Sequence, residues 1–432
     1  MGGRLALAVL VALTSGCGAV EELFGGPSDA VIPTSRPDPR YEELFSHYVE
    51  LCAVSQIRPI DQPPGGIAGH AVLYLKGACK DEAAGYPRLR PCRGEATSAD
   101  DPEHGAGVSV NKWFKNVNWV ATPGRRLFFD GDLDDDQTLD RAHFDRAVQR
   151  ALDLGVLDGV EMHLKPGQSQ PEPMAKFAAE ESIGTDFALR FGRSLFCTRL
   201  PMTDAMLNRE LEYLNALNDE YHRGEATYDW KGYGDNCAYL AWNGLAAAGV
   251  WKPRSVRQLK IRQVFNIAVP ANVFVDAARL FSEYPVEDFG AIHRDELRWQ
   301  GLLENDWLPA LPGALIETLG VHEKNELYDT QFRLLVAEVF ERGPSERAAK
   351  LLRDERFLDL ETNLRFFRKR YAAILAARGD DEGWMSRLRG DGYREARRRY
   401  YEYIEGALGG TDEDLARLGV KAGNRRRPPG SS

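Results

Sequence analysis

The sequence predicts an α+β protein in which a small antiparallel sheet packs on a cysteine-bearing helix and a mainly α-helical region follows. Three observations point there. Apolar alternation from Ile67 to Lys76 suits a strand, and the small residues after Cys237 suit a helix pressed closely on a sheet. Beyond residue 290 the chain turns to charged, amphipathic helical periods.

The first element is the N-terminal segment, with Arg4, an apolar run from Leu5 to Leu13, and Thr14, Ser15 and Gly16 directly before Cys17. That is the charged, apolar, small-residue order of a secretory signal. The run is about half of what a membrane-spanning helix needs, so it reads as a removed signal. Leu13-Thr14-Ser15-Gly16-Cys17 resembles the lipobox of bacterial lipoproteins, with Thr14 where that family usually has Leu, Val or Ile. The resemblance implies that Cys17 is acylated and becomes the N-terminus. The protein would then sit in the bacterial cell envelope, lipid-anchored to a membrane and facing the periplasm. The alternative is an ordinary signal peptide cut nearby. Residues 18–40, rich in Gly, Pro, Ser and Asp, read as a flexible tether in either case.

Roughly 390 residues remain, enough for two domains or one large elaborated one. The formal charge of −10 becomes one unit more negative once Arg4 is removed, which argues against a nucleic-acid partner. Arg425-Arg426-Arg427 lies in a Pro/Gly/Ser tail, 421–432, and reads as solvated disorder. Of the six cysteines, Cys17 carries the lipid. Cys79 and Cys92 flank a Pro/Gly-containing loop that a disulfide would staple, and Cys52 with Cys197 is a candidate second pair in an oxidising compartment. Cys237 is then left over as a thiol.

Residues 41–285 form the expected catalytic region. Tyr41, Leu44, Phe45, Tyr48, Val49 and Cys52 are spaced for one helical face, predicting a helix over 41–54. A Pro/Gly turn at 59–66 precedes the Ile67 to Lys76 strand, with His70, Val72 and Tyr74 on one side and Ala71, Leu73 and Leu75 on the other. Residues 77–105 read as a polar insertion, Gly107 to Val110 and Val117 to Ala121 as extended, and Leu127 to Asp130 as a short strand. Thr138 is placed to cap a helix from Leu139 to Leu154 that Gly155 ends. After a loop at 166–173, Thr185 to Arg199 reads as a strand, and Thr203 caps a helix running to Arg223. Asn236-Cys237 opens a helix that Gly249 stops, with Cys237, Leu240, Ala241, Gly244, Leu245 and Ala248 on one face. Residues 286–420 read as helical, with amphipathic runs near 326–342, 346–353, 358–377 and 391–408.

A thiol at a helix N-terminus faces unpaired N–H groups and the positive end of the helix dipole. Both lower its pKa and favour the thiolate. Cys237 is therefore the candidate nucleophile and His70, on a strand, the candidate base. Asn236 is placed to cap the helix or to help hold an oxyanion together with the Cys237 N–H. Gly69-His70-Ala71 on an early strand, followed much later by Asn236-Cys237 opening a small-residue helix, resembles the circularly permuted branch of the NlpC-type papain-like superfamily, which includes lecithin-retinol acyltransferase-like proteins. The resemblance covers residues 65–275. It implies a Cys237–His70 dyad working through a thioester, since in this branch the histidine strand precedes the cysteine helix. Tyr228, Trp230 and Tyr233 lie just upstream and are placed to line the approach, with Tyr233 and Asn236 as candidate substrate contacts. No motif marks the residue that orients His70. Asn111 and Asn118 are the candidates, with His104 behind them, and His163 is a rival base.

Two further clusters invite metal readings. Asp130-Gly131-Asp132-Leu133-Asp134-Asp135-Asp136 resembles a calcium loop, but residue 135 is Asp where an EF-hand needs Gly, so a solvated loop is favoured. His322-Glu323 with Glu326 and Asp329 lacks a second histidine. No metal or cofactor is expected. The chain thus reads as an envelope-anchored cysteine hydrolase or acyl/peptidyl transferase whose substrate is a peptidoglycan peptide, a lipid or a protein, the cell-wall peptide being the first choice. The alternative is a non-catalytic envelope lipoprotein that uses the same scaffold for binding.

Overall fold

The computed structural model describes residues 38–57, 59–60, 69–94, 104–164, 173–230, 235–255, 269–329, 350–379 and 391–424. Cys17, nearly all of the tether, most of the 59–66 turn, all but the last residue of the 166–173 loop, Tyr233, residues 425–432 of the basic tail, most of the 326–342 run and half of the 346–353 run lie outside them. Residues 421–424, read as disordered, continue the helix that begins at Asp391. No helix among the described residues is long and apolar enough to cross a membrane.

The predicted helix over 41–54 is instead a single turn, α1 (Tyr41–Leu44), followed by strand β1 (Tyr48–Val54). Every β1 residue is buried, because β1 lies inside a sheet covered on both faces. A short run buried all round has no period to separate strand from helix, and sequence spacing chose the wrong one. The expected strand is β2 (His70–Lys76), also buried throughout. The 77–105 insertion carries a hairpin, β3 (Ala78–Lys80) with β4 (Leu89–Pro91), and the Cys79–Cys92 disulfide joins its two sides with Cα atoms 5.0 Å apart.

Strands β5 (Gly105–Ser109) and β6 (Val120–Pro123) follow near the predicted extended segments. Leu127 to Asp130 is a correction. It belongs to helix α2 (Arg125–Asp130), entered through Gly124 at φ +77°, and Leu127, Phe128 and Phe129 are all buried. Helix α3 (Arg141–Asp153) is capped by Asp140, whose Oδ1 accepts from the His143 N–H at 2.9 Å, rather than by Thr138. Helix α4 (Met174–Ser182) was not anticipated, and the strand expected from Thr185 begins only at β7 (Leu195–Pro201). Thr203 caps α5 (Asp204–His222) as predicted. Helix α6 (Cys237–Ala247) opens at Asn236, and Gly249 at φ +93° turns the chain out of it.

The six-stranded sheet has the order β6-β5-β2-β1-β7-β8. Its last strand, β8 (Leu315–Leu319), lies within the 286–420 region read as mainly helical, where the sequence predicts no strand. Its five residues are too few to signal against charged helical neighbours. The described pairings are antiparallel: Val54 stands opposite His70 and Leu195, Glu50 opposite Arg199, and Cys52 opposite Cys197. That last pair is the second disulfide, with Cα atoms 4.0 Å apart. Facing residues share a side of the sheet, so one side carries His70, Val72, Glu50 and Cys52 and the other Ala71, Leu73 and Leu51. Helix α6 covers the second side, where a Cβ on Gly244 would stand 3.6 Å from Leu73 Cδ1.

The described residues cluster into two compact units. One comprises 47–277 with 317–329 and holds the sheet. The other comprises 38–46, 278–316, 351–379 and 391–424. The chain passes between them within α7 (Pro270–Glu283) and within β8. The second unit contains α8 (Phe289–Arg294), α9 (Glu296–Asn305), α10 (Leu360–Ala376) and α11 (Asp391–Asn424), around a core that includes Phe289, Leu302, Phe367, Tyr371, Tyr400 and Ile404.

Candidate active site

His70 opens β2 because Gly69 precedes it. Gly69 has φ +76°, and a Cβ there would collide with the Val54 carbonyl oxygen, so only glycine lets the chain enter the strand this close to β1. Cys237 is presented by a comparable turn. Asp235 adopts φ +51°, a left-handed value that aspartate tolerates. Its carbonyl accepts from the Tyr228 hydroxyl at 2.9 Å and its Oδ1 from the Tyr221 hydroxyl at 3.3 Å. Asn236 Oδ1 then accepts from the Tyr239 N–H at 2.8 Å, so Asn236 is the helix cap.

Cys237 is half-buried and is the one free cysteine among the described residues. Its sulfur is stabilised as thiolate by the backbone N–H groups of Ala71, on β2, and Ala238, and by Arg193, yet burial outweighs them and pushes the thiol up from its ordinary value. This departs from the expectation that the helix N-terminus would lower it. A few aligned N–H groups do not repay the removal of a sulfur anion from water.

His70 is buried, and its ring turns to the side of β2 opposite α6. Nε2 lies 3.0 Å from Ser109 Oγ on β5. Ser109 Oγ is also 2.7 Å from the Thr185 carbonyl oxygen and 2.8 Å from Asp186 Oδ1. A hydroxyl has one proton to give. Given to either of those acceptors, it leaves a lone pair for a His70 Nε2–H, and in that tautomer Nδ1 is the basic nitrogen; the Thr185 carbonyl also accepts from the imidazole. Burial, aided by Arg193, pushes His70 down to about 3, so the imidazole is neutral. Between His70 and Cys237 there is no hydrogen bond; the sulfur meets β2 one residue further on, at the Ala71 N–H.

Asp186 is the residue that sequence reasoning missed. It is fully buried, held by Ser109 and by Asn111 Nδ2 at 2.8 Å on Oδ2, while its own carbonyl accepts from Thr122 Oγ1 at 2.7 Å. Burial raises its carboxyl to about 6 against these hydrogen bonds. Asn111 therefore orients the carboxylate behind His70 and not the histidine itself. Asn118 does not orient His70: its backbone N–H is bonded to Asn218 Oδ1 at 2.8 Å and its side chain meets Tyr221, whose hydroxyl holds Asp235 before Cys237. Arg193, just before β7, completes the cluster: burial pulls its guanidinium down to about 10, still cationic, against the attraction of Cys237, Asp186 and Tyr328.

Of the other candidates, His104 is buried at the start of β5 and its carbonyl accepts from the Gly77 N–H at 3.1 Å. His163 is exposed. Tyr228 is fully buried and Trp230 is 42 % exposed. The acidic run is bound by arginines: Arg190 with Asp130 at 2.6 Å, Arg126 with Asp134 at 2.7 Å and Arg150 with Asp132 at 3.5 Å. His322 packs edge-on to Phe191, and no cluster of His, Cys, Asp and Glu among the described residues is arranged to hold a metal.

The arrangement thus holds a thiol at a capped helix start, a neutral imidazole on the strand whose Ala71 N–H the sulfur meets, a serine–carboxylate relay behind that imidazole, and one buried cation. No protein-family model, curated protein or solved structure matches this chain.

Proposed function

We propose that the protein is a cysteine hydrolase or acyl/peptidyl transferase that works through a thioester on Cys237, with His70 as base. The observation that carries this reading is the free thiol at the start of α6 next to the strand that opens with His70, whose Nε2 is fixed by Ser109, itself held by Asp186. In the first step Sγ bonds to the substrate carbonyl carbon while the thiol proton passes to His70 Nδ1. The C–N or C–O bond then breaks, and the leaving group departs with that proton. Water or an acceptor nucleophile attacks the thioester carbon and gives its proton to His70; the C–S bond breaks, the acid or transferred acyl product leaves, and His70 returns the proton to Sγ. The order of histidine strand and cysteine helix supports a permuted papain-like scaffold. Residues 13–17 support export and lipid anchoring at Cys17 in a bacterial envelope, which makes a cell-wall peptide the first substrate to try.

A specific observation favours a second reading, a binding module without catalysis: the thiol is raised, the imidazole is neutral, and the two share no hydrogen bond. Proton transfer requires Sγ and Nδ1 to come within reach, directly or through one water. Incubation with p-nitrophenyl acetate separates the readings. Catalysis predicts a burst of nitrophenolate and an acetyl group on Cys237 by mass spectrometry, absent in Cys237→Ala and strongly slowed in His70→Gln. A Cys237 that acylates no faster than a free cysteine, with His70→Gln unchanged, leaves only the binding module.

A further inference from the structure

We propose that Arg193 is the cation against which the Cys237 thiolate forms, so that the activated site is a thiolate–guanidinium pair rather than a thiolate–imidazolium pair. The proposal rests on the reading of Cys237 as nucleophile. Arg193 is 6 % exposed, and its contacts are two long, neutral ones: Nη1 donates to the Ser55 carbonyl at 3.3 Å and Nη2 to Thr185 Oγ1 at 3.4 Å. Its Nε is buried with no acceptor. A buried guanidinium is ordinarily matched by a carboxylate at contact distance. The other two buried arginines of the same unit are: Arg125 reaches Glu50 at 3.1 Å and Glu317 at 3.2 Å, and Arg199 reaches the same two at 3.2 Å and 3.0 Å. Arg193 has a donor left over, and its charge acts on Cys237 first and on Asp186 second.

The charge inventory around the sulfur points the same way. Facing it or lying in the same cluster are His70 from β2, Asp186 from the turn after α4, Tyr228 from the segment after α5, Asp235 from the turn before α6, and Arg193. The backbone N–H groups of Ala71, Ala238 and Cys237 and the Arg193 guanidinium favour the anion, His70 and Tyr228 are neutral, and Arg193 is the cation among these described groups. The same guanidinium also disfavours protonation of His70. An imidazolium next to Arg193 is therefore the costlier counter-ion, while a thiolate next to Arg193 relieves both. Arg193 is on this account a positioning residue: it stabilises the negative charge that develops on Sγ as the thiol proton moves to His70 Nδ1 and on to the leaving group, so that His70 is neutral before and after the step.

Alkylation of Cys237 by iodoacetamide, followed across pH in the full chain with both disulfides intact, tests this without any substrate. Loss of an opposite charge this close shifts a pKa by about 1–3 units. Arg193→Met should therefore move the ascending limb up by at least about one pH unit and slow alkylation at pH 7.5 by roughly tenfold. Arg193→Lys should hold the limb near its wild-type position, and His70→Gln should leave it in place. If Arg193→Met does not fold, Arg193→Gln, which keeps a donor for Ser55 or Thr185, carries the same expectation. A limb that stays put in the neutral variants, or that His70→Gln moves as far, overturns the proposal. Normal Arg193 dependence of alkylation without nitrophenyl acetate turnover would retire the enzyme reading and leave the ion pair standing.

Discussion

The two compact units bury opposite kinds of polarity. In the sheet-bearing unit the ionisable groups are inside: Glu50, Arg125, Arg199 and Glu317 form a closed quartet between β1, α2, β7 and β8, and His70, Asp186, Arg193 and Glu210 are also buried. In the helical unit several buried polar groups are tyrosine hydroxyls tied to the backbone, and Arg298 is the buried charge among its described residues. Tyr371 donates to the Ala310 carbonyl at 2.9 Å, Tyr400 to the Val286 carbonyl at 2.6 Å and Tyr41 to the Gly313 carbonyl at 2.8 Å. Many of its charges lie outside, in pairs one helical turn apart such as Arg365 with Glu361 and Arg398 with Glu402. Neutral hydroxyls satisfied by carbonyls respond little to pH, whereas charges removed from water respond strongly. The chemistry and the pH sensitivity of this protein therefore belong to the sheet.

The largest effect should come from breaking the quartet. Burial opposes ionisation of Glu50, but Arg125 and Arg199 outweigh it and hold its carboxyl below the usual range, while Glu317, sharing those arginines with Glu50, is pushed up by burial. Glu50→Gln leaves two guanidiniums with one carboxylate. It should cost about 3–5 kcal/mol in urea unfolding, while Arg398→Ala leaves the midpoint unmoved. Equal effects would remove the contrast between the units.

Next is Glu210 on α5, whose two carboxyl oxygens are buried without a partner facing Gly244 of α6. Burial raises it to about 8. The native state then holds a proton that the unfolded chain releases above about 4.3, so this group removes stability as pH rises from there to about 8. Glu210→Gln should stabilise the protein by up to about 5 kcal/mol at pH 9 and by little at pH 4. A pH-independent difference between the two chains would show that Glu210 is solvated. His70 works with the opposite sign: neutral in the fold, it lowers stability as pH falls below about 6.5 towards 3.

Removing the Cys79–Cys92 disulfide with paired serine substitutions should cost about 3 kcal/mol, the entropy of a short closed loop. It should leave acylation of Cys237 intact, since the hairpin supplies no site residue. Loss of activity together with stability would tie the hairpin to the site. Smallest is the cap: Asn236→Ala should cost about 1 kcal/mol, and its effect on acylation beyond that loss would show whether Asn236 also contacts the oxyanion.

Much of the site was legible in the residues themselves. Gly69-His70 and Asn236-Cys237 announce a strand start and a helix start through backbone demands that few residues satisfy, a crowded left-handed turn and a side-chain cap. Cysteine arithmetic singled out both disulfide pairs and the remaining thiol. Asp186 and Arg193 were not legible. They lie in a turn that alternates like a strand, and nothing local distinguishes a buried charge from an exposed one. Likewise β1, α2 and β8 are short segments of mixed charged and apolar residues whose identity comes from what covers them.

By itself, then, the sequence determined the local elements whose geometry is written in turns, caps and periodicity, and the two ends of the candidate site, His70 and Cys237. Only the tertiary structure decided that His70 faces Ser109 and Asp186, that Cys237 meets the Ala71 N–H, and that an unpaired Arg193 lies among them. The physical reason is that a charge state is fixed by burial and by neighbours distant in sequence, and both exist only once the sheet has formed.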